Sequence, residues 1–290
     1  MFKKICIIGL GLIGSSIAHA ARRAHPAMTV TGYDASADIR TRAAALGVFS
    51  AIPDAIGEAV SGADLIILCV PVGAMGEVAA QIAPHCQSGA VVSDVGSVKK
   101  SVIEAVQPHL PKDVIFIPAH PIAGTEHSGP EAGFADLFTG RWCILTPLEG
   151  TDAVVTEALK SLWQSFGSIV EFMSPKYHDR TLAITSHLPH LIAYTIVGTA
   201  TELEKDIQAE VIKFSAGGFR DFTRIAASDP TMWRDIFLNN QEAVLDILQR
   251  FNEDLTALQK AIRQGKGEEL FDFFTKTREV RRRIIEAKQA

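Results

Sequence analysis

The stretch "IIGLGLIGSS", Ile7 to Ser16, constrains the fold more than any other part of the chain. Gly9, Gly11 and Gly14 fall in the pattern G-x-G-x-x-G. The run before them, "KKICIIG", is short, apolar and rich in isoleucine, as a buried parallel strand is. The run after them, "LIGSSIAHAARRA", has helical spacing. A second strand, "MTVTGYD", ends on Asp34, 20 residues beyond Gly14. In a β-α-β unit Gly9 makes the tight turn, Gly11 lets a pyrophosphate approach the backbone, and Gly14 lets helix and strand pack closely. The helix N-terminus then offers free N–H groups to the phosphates, and Asp34 can accept hydrogen bonds from the adenosine ribose. Its charge would repel a 2′-phosphate, and "DASAD" supplies no adjacent arginine. The expected cofactor is therefore NAD in preference to NADP.

The strand–helix rhythm continues. "ADIRTRAAALG" reads as a helix stopped by Gly47, and "ADLIILCVP" as the most apolar strand, ended by Pro71. "GAMGEVAAQIAPH" and "VKKSVIEAVQPHL" are helical, while "GAVVSDVGS", "DVIFIPAHP" and "RWCILTP" are further strands. This alternation predicts a doubly wound parallel sheet of Rossmann type. It breaks after about Thr146, and "PLEGTD" reads as a junction. Beyond it "SIVEFM" is one short strand; "LPHLIAYTIVGTATELEK" is apolar enough to be buried on several sides. "NNQEAVLDILQRFNEDLTALQKAIRQG" is a long amphipathic helix ended by Gly265. The expected architecture is an α/β domain over 1–148 and a mostly α-helical domain over 149–290.

With 47% hydrophobic residues in 290 and a net charge of −5, the chain reads as globular, with no nucleic-acid partner. The basic run "REVRRR", Arg278 to Arg283, has Glu279 and Glu286 nearby and reads as a solvated helix face. Cys6, Cys69, Cys86 and Cys143 are far apart with no C-x-x-C, which predicts a reducing compartment, no disulfide and no zinc site. The first strand begins at once and no apolar run is long enough for a membrane span, so a soluble cytoplasmic protein is expected.

Three later motifs carry chemistry. His120, in "AHPIAGTEHSG", directly follows a strand, where ligands of open α/β sheets bind, and a histidine there can take a proton from an alcohol as hydride leaves its carbon. In "SHLPHL", His187 and His190 are three apart and share a helix face. They could also be plain polar residues on a domain-facing surface; a metal site would need further ligands that the sequence does not offer. In "GGFRDFTRIAASDP", Arg220 and Arg224 could clamp carboxylates, or pair structurally with Asp221 or Asp229.

Taken together, "GLGLIG", "CVPV", "DVGSVK", "HPIAGTEHSG", "SHLPH" and "GGFRDFTRIAASDP" resemble the prephenate/arogenate dehydrogenase family of tyrosine biosynthesis, in order and spacing, over nearly the whole chain. The resemblance implies NAD-dependent oxidative decarboxylation of prephenate or arogenate: hydride leaves C4 of the ring, CO2 leaves C1, and the ring becomes aromatic. It implies that His120 is the catalytic histidine and that Ser97 hydrogen-bonds both that histidine and the substrate hydroxyl. It implies that His190 sits at the substrate end of the cleft with His187 close by, that Arg224 binds a substrate carboxylate, and that Thr125 and Glu126 line the pocket, with Arg220 a further candidate there. Gly9, Gly11, Leu12, Ile13, Gly14, Asp34, Val70, Pro71 and Lys99 are the expected cofactor contacts. The resemblance also implies a homodimer built through the helical domain. Tyrosine resembles the product and is a candidate competitor in the substrate cleft, a point that the sequence leaves open. No mutase segment precedes Met1 and no regulatory domain follows Ala290, so the compact two-domain form is expected. A β-hydroxyacid dehydrogenase would instead need a catalytic lysine on a second-domain helix, for which Lys205 and Lys213 are poor candidates. A non-catalytic NAD sensor would have no need of His120, Ser97 and Arg224 together.

Overall fold

The computed structural model describes residues 2–202, 213 and 217–286, with side chains as far as residue 283. Lys205, and the end of "LPHLIAYTIVGTATELEK" beyond Glu202, lie outside the described residues. Among the described residues the chain divides into two units, 1–241 and 242–290.

The first unit is built on a five-stranded parallel sheet in the order β2-β1-β3-β4-β5. Its strands are β1 Lys4–Ile8, β2 Thr29–Tyr33, β3 Leu65–Leu68, β4 Val91–Asp94 and β5 Ile115–Phe116. Side chains alternate between its faces. Ile5 and Ile7 enter one core with Ile17, Ala18 and Ala21 of α1 (Leu12–Ala24). Cys6 and Ile8 enter the other, which includes Met75 and Val102 of two crossover helices. Strand order reverses between β1 and β3, so the crevice for a ligand opens there, outside the carboxyl ends of the strands.

The sequence predicts "DVIFIPAHP" and "RWCILTP" in this same sheet; the structure keeps only Ile115–Phe116 there and places the rest elsewhere. Pro118 has no N–H to continue the ladder, so the chain leaves the sheet after Phe116. It enters a second, three-stranded sheet of β6 Ala119–Pro121, β7 Trp142–Leu145 and β8 Ile169–Phe172. β6 and β7 are antiparallel, and β8 returns parallel to β7 after the helix Ala153–Ser165. "SIVEFM" therefore pairs with "RWCILTP" and does not stand alone among helices. Phe138, Trp163 and Phe166 fill the interior beside this sheet, with Phe138 edge-on to Trp163 at 5.3 Å.

The rest of the unit is helical: Pro175–Leu182, a π turn Ala183–His187, Leu188–Thr201, Gly217–Thr223 and Pro230–Asn239. The π turn precedes Pro189, whose ring would clash with the carbonyl four residues back in a regular helix. Contrary to the sequence expectation, Leu188–Thr201 is only half-buried within this chain, with Leu188 and Ala193 fully covered. The second unit is formed by the helices Gln241–Arg263 and Gly267–Glu286, joined through Gly265 at φ +65°. Arg278 and Arg281 to Arg283 are exposed on the last helix.

Candidate active site

The glycines do at the atomic level what their spacing predicts. Gly9 has φ +96°, and a Cβ there would lie 2.7 Å from the Cys69 carbonyl carbon and 2.9 Å from Val70 N. A Cβ on Gly14 would lie 2.0 Å from Gly9 O. Gly11, by contrast, faces open space, so ligand can reach its backbone. No side chain caps α1, which leaves the first-turn N–H groups of Leu12, Ile13 and Gly14 directed at that space. Val70 and Pro71 follow β3, with the Val70 backbone beside Gly9. Asp34 accepts from Leu10 N at 3.0 Å and Ser36 N at 2.9 Å, one per carboxylate oxygen, so lone pairs remain for a diol. The residues fit a dinucleotide. One premise needs correcting: an arginine does lie beside Asp34. The helix Ala37–Ala45 brings the Arg40 guanidinium to the Asp34 carbonyl at 2.8 Å, and to Asp54 at 2.9 Å.

His120 stands at the centre of β6 and is buried. Its Nδ1 lies 2.9 Å from Nε2 of His178, whose Nδ1 lies 2.8 Å from Oδ1 of Asp179. Asp179 in turn accepts from Lys99 N at 2.7 Å and Lys100 N at 2.9 Å. Burial pushes the Asp179 carboxyl up, but the donors from His178, Lys100 and Lys99 outweigh it and hold it below the usual range. Burial, then the His178 and Lys99 charges, push His120 well below the ordinary histidine value. Among the described residues, no hydrogen bond joins Ser97 to His120; His178 occupies Nδ1 instead.

Lys99 does not reach the cofactor crevice as the sequence reading expected. Its ammonium is fully buried, paired with Asp94 and donating to Ala119 O at 2.7 Å. Burial lowers its pKa and Asp94 opposes that fall.

His187 is fully buried beside Trp233; its Nδ1 accepts from Asn240 at 3.1 Å, which puts the proton on Nε2. Nε2 has no partner of good geometry, although the Ser97 backbone lies close enough to favour its charged form. Burial still takes the pKa down to about 4. His190 stacks on Trp233 at 3.6 Å and donates Nδ1–H to Ser186 O, leaving Nε2 as an acceptor. Burial lowers its pKa, and Arg224 is near enough to add to the shift. Arg224 pairs with Glu126 at 3.1 Å, not with Asp221 or Asp229, and so joins the loop after β6 to the helical region. Thr125, on that loop, accepts from His127 N at 3.2 Å. Arg220 is exposed beside Asp221 at 3.5 Å, and nothing brings it to His120.

The structure therefore gathers His120, His187 and His190 into the histidine-rich interior, and Glu126 and Arg224 at its rim. His178, Asp179, Trp233 and Asn240 escaped the sequence reading. The adjacent pair in "YHDR" was the one available signal, because a histidine–aspartate step followed by apolar residues can turn inward on a helix. This interior makes stability pH-dependent. The unfolded state binds more protons than the native one between the ordinary histidine value of 6.5 and the His187 value of about 4. Stability is thus full above pH 6.5 and falls as pH drops through that window. His187→Asn should flatten this acid limb by as much as about 3 kcal/mol, measured by urea unfolding at pH 7 and pH 4.5. An unchanged limb would mean that His187 is not held neutral.

The chain is similar to known proteins over nearly its whole length. Residues 17–172 match the family model described as "Prephenate dehydrogenase, nucleotide-binding domain", and residues 174–276 match "Prephenate dehydrogenase, dimerization domain". The cyclohexadienyl dehydrogenase of Zymomonas mobilis is 46% identical over 281 residues, covering 97% of this chain and 96% of that protein. The crystal structure of Aquifex aeolicus prephenate dehydrogenase, in complex with hydroxyphenyl propionate and NAD+, superposes with a TM-score of 0.90 at 34% identity. It covers 98% of this chain and 99% of that one. Synechocystis arogenate dehydrogenase superposes with a TM-score of 0.81 at 27% identity, covering 97% and 99%. The two family models, which match residues 17–172 and 174–276, show that this chain belongs to the prephenate dehydrogenase family of oxidoreductases.

Proposed function

We propose that this protein catalyses the NAD-dependent oxidative decarboxylation of prephenate, arogenate or both, a step toward tyrosine. The observation that carries the reading is His120: a buried histidine within β6, four residues past the end of β5, neutral by burial, with Nδ1 occupied and Nε2 making no hydrogen bond among the described residues. Gly9, Gly11, Leu12, Ile13 and Gly14 would hold the pyrophosphate, Asp34 the adenosine ribose, and Val70 and Pro71 the wall beside them. Bound NAD supplies the hydride acceptor. Nε2 of His120 takes the proton of the C4 hydroxyl as that carbon loses hydride; loss of CO2 from C1 then makes the ring aromatic. Aromatisation drives the reaction, so the protein's work is orientation, exclusion of water and custody of one proton.

Both substrates carry two carboxylates. Arg224 is the cation we assign to one of them, exchanging Glu126 for substrate, with His190 beside it. Ser97 and Thr125 remain candidates for hydroxyl contacts, and His187 for closing the inner wall. Tyrosine, which resembles the product, would compete in the same cleft. The exposed apolar side chains Leu245, Leu255 and Ile262 on one helix, and Phe271 and Phe274 on the next, support a homodimer formed through this region. We place the enzyme in the cytoplasm, in keeping with its free thiols.

Purified protein should form NADH from prephenate, arogenate or both, faster with NAD than with NADP, and none from 3-hydroxy acids. No NADH from either ring substrate would overturn the assignment. Arg224→Ala should raise KM for the ring substrate at least about tenfold, because a charge-assisted clamp is lost, and lysine should rescue only part of it. Its melting temperature should stay near wild type, since an exposed ion pair adds little stability. A destabilised variant with normal KM would make Arg224 structural.

A further inference from the structure

We propose that His178 and Asp179 are positioning residues that fix His120 in the tautomer with its proton on Nδ1, leaving Nε2 free to act as base. The proposal rests on the reading of His120 as that base. It follows from donor and acceptor counting along one chain of contacts. Asp179 receives Lys99 N and His178 Nδ1 on one oxygen, at 2.7 and 2.8 Å, and Lys100 N on the other, at 2.9 Å. A carboxylate with three N–H donors is ionised and can only accept. His178 must therefore carry its proton on Nδ1.

Neutral His178 then has a lone pair on Nε2, and that atom lies 2.9 Å from Nδ1 of His120. A hydrogen bond of this length needs a proton between them, and only His120 can supply it. The two rings meet edge to face, with centroids 5.1 Å apart, so the nitrogens rather than the faces make the contact. His178 is fully buried and cannot find an alternative partner in water. Asn240 adds a further restraint by donating to the Asp179 carbonyl at 3.0 Å, while also holding His187.

The logic is that of the serine-protease triad, with one imidazole inserted between base and carboxylate. The wrong tautomer of His120 would point an N–H at the substrate hydroxyl and could not receive its proton. In turnover the C4 O–H bond breaks and an Nε2–H bond forms on His120. The positive charge that results is met by the Nδ1–H to His178 bond and, through His178, by the carboxylate of Asp179. Nothing is oxidised or reduced along this chain; it carries only orientation and charge.

The test uses full-length enzyme, with ring-nitrogen NMR of histidine-labelled protein alongside kinetics of His178→Phe and His178→Gln. Wild-type His120 should report a proton on Nδ1. In His178→Phe the Nε2–H form should appear and kcat should fall by roughly 10- to 1,000-fold, with KM for substrate and NAD unchanged. Glutamine places an amide oxygen near the position of the lost Nε2, so His178→Gln should recover part of kcat and the Nδ1–H signal. Wild-type His120 protonated on Nε2 would overturn the proposal, even if the variants did not fold. A folded His178→Phe enzyme with wild-type kcat, or one whose kcat falls while the tautomer stays unchanged, would overturn it too. Failure of the wild-type enzyme to oxidise either ring substrate would instead sink the functional reading, and the NMR result would still decide the dyad.

Discussion

The buried pair between Asp94 and Lys99 is the constraint on which the rest of the site depends. Both side chains are fully buried, where isolated charges cost several kcal/mol each. They are tolerated because both groups are hydrogen-bonded, chiefly to the backbone just before His120. Asp94 accepts from Ala119 N at 3.2 Å and from Gly96 N at 2.7 Å, and Lys99 donates to Ala119 O at 2.7 Å. Ala119 is thus held at both its N–H and its C=O. The Lys99 backbone N–H meanwhile anchors Asp179, which orders His178 against His120. The circuit runs from the end of β4, through the start of the next helix, to the helical region and back to β6. Such a pair is weak evidence for stability, but removing one partner would strand the other charge in the interior.

Desolvation gives this circuit its chemical meaning. The same burial that makes Asp94 and Lys99 costly pushes His120, His178 and His187 toward their neutral forms. A base that must start neutral benefits from such a setting. The exposed rim behaves differently: Arg224 and Glu126 are partly in water, and their pairing can be exchanged. The site therefore combines a rigid, dry interior that manages a proton with an adaptable charged rim that can meet an anion.

Much of this was legible in the sequence because local chemistry fixes it. Gly9 and Gly14 leave no room for a Cβ, and Asp34 closes the second strand at the expected distance. His120 stands out in the sequence through its motif, but it lies within β6 and does not directly follow a strand. What escaped was set by contacts between distant segments. Pro118 sends its strand into a second sheet, a choice made by the partner strand Trp142–Leu145. Lys99 is expected at the cofactor from the sequence, but Asp94, five residues earlier, takes its charge in the interior. His178 and Asp179 offered only the adjacent pair in "YHDR", and Asn240 reaches Asp179 from 61 residues away. Arg40 likewise reaches Asp34 only because a helix turns it back.

The central claim is that a buried, neutral His120 receives the substrate proton. The most direct measurement is kcat/KM against pH for the wild-type enzyme, together with kcat and NAD affinity of His120→Asn. His120 must be neutral to act and its pKa is depressed by burial, so activity should persist below pH 6.5 and decline only at lower pH. The variant should lose at least about 100-fold in kcat, the usual range for a general base, while binding NAD as wild type does. Near wild-type turnover by the variant, or a wild-type profile that already falls above pH 6.5, would contradict this account.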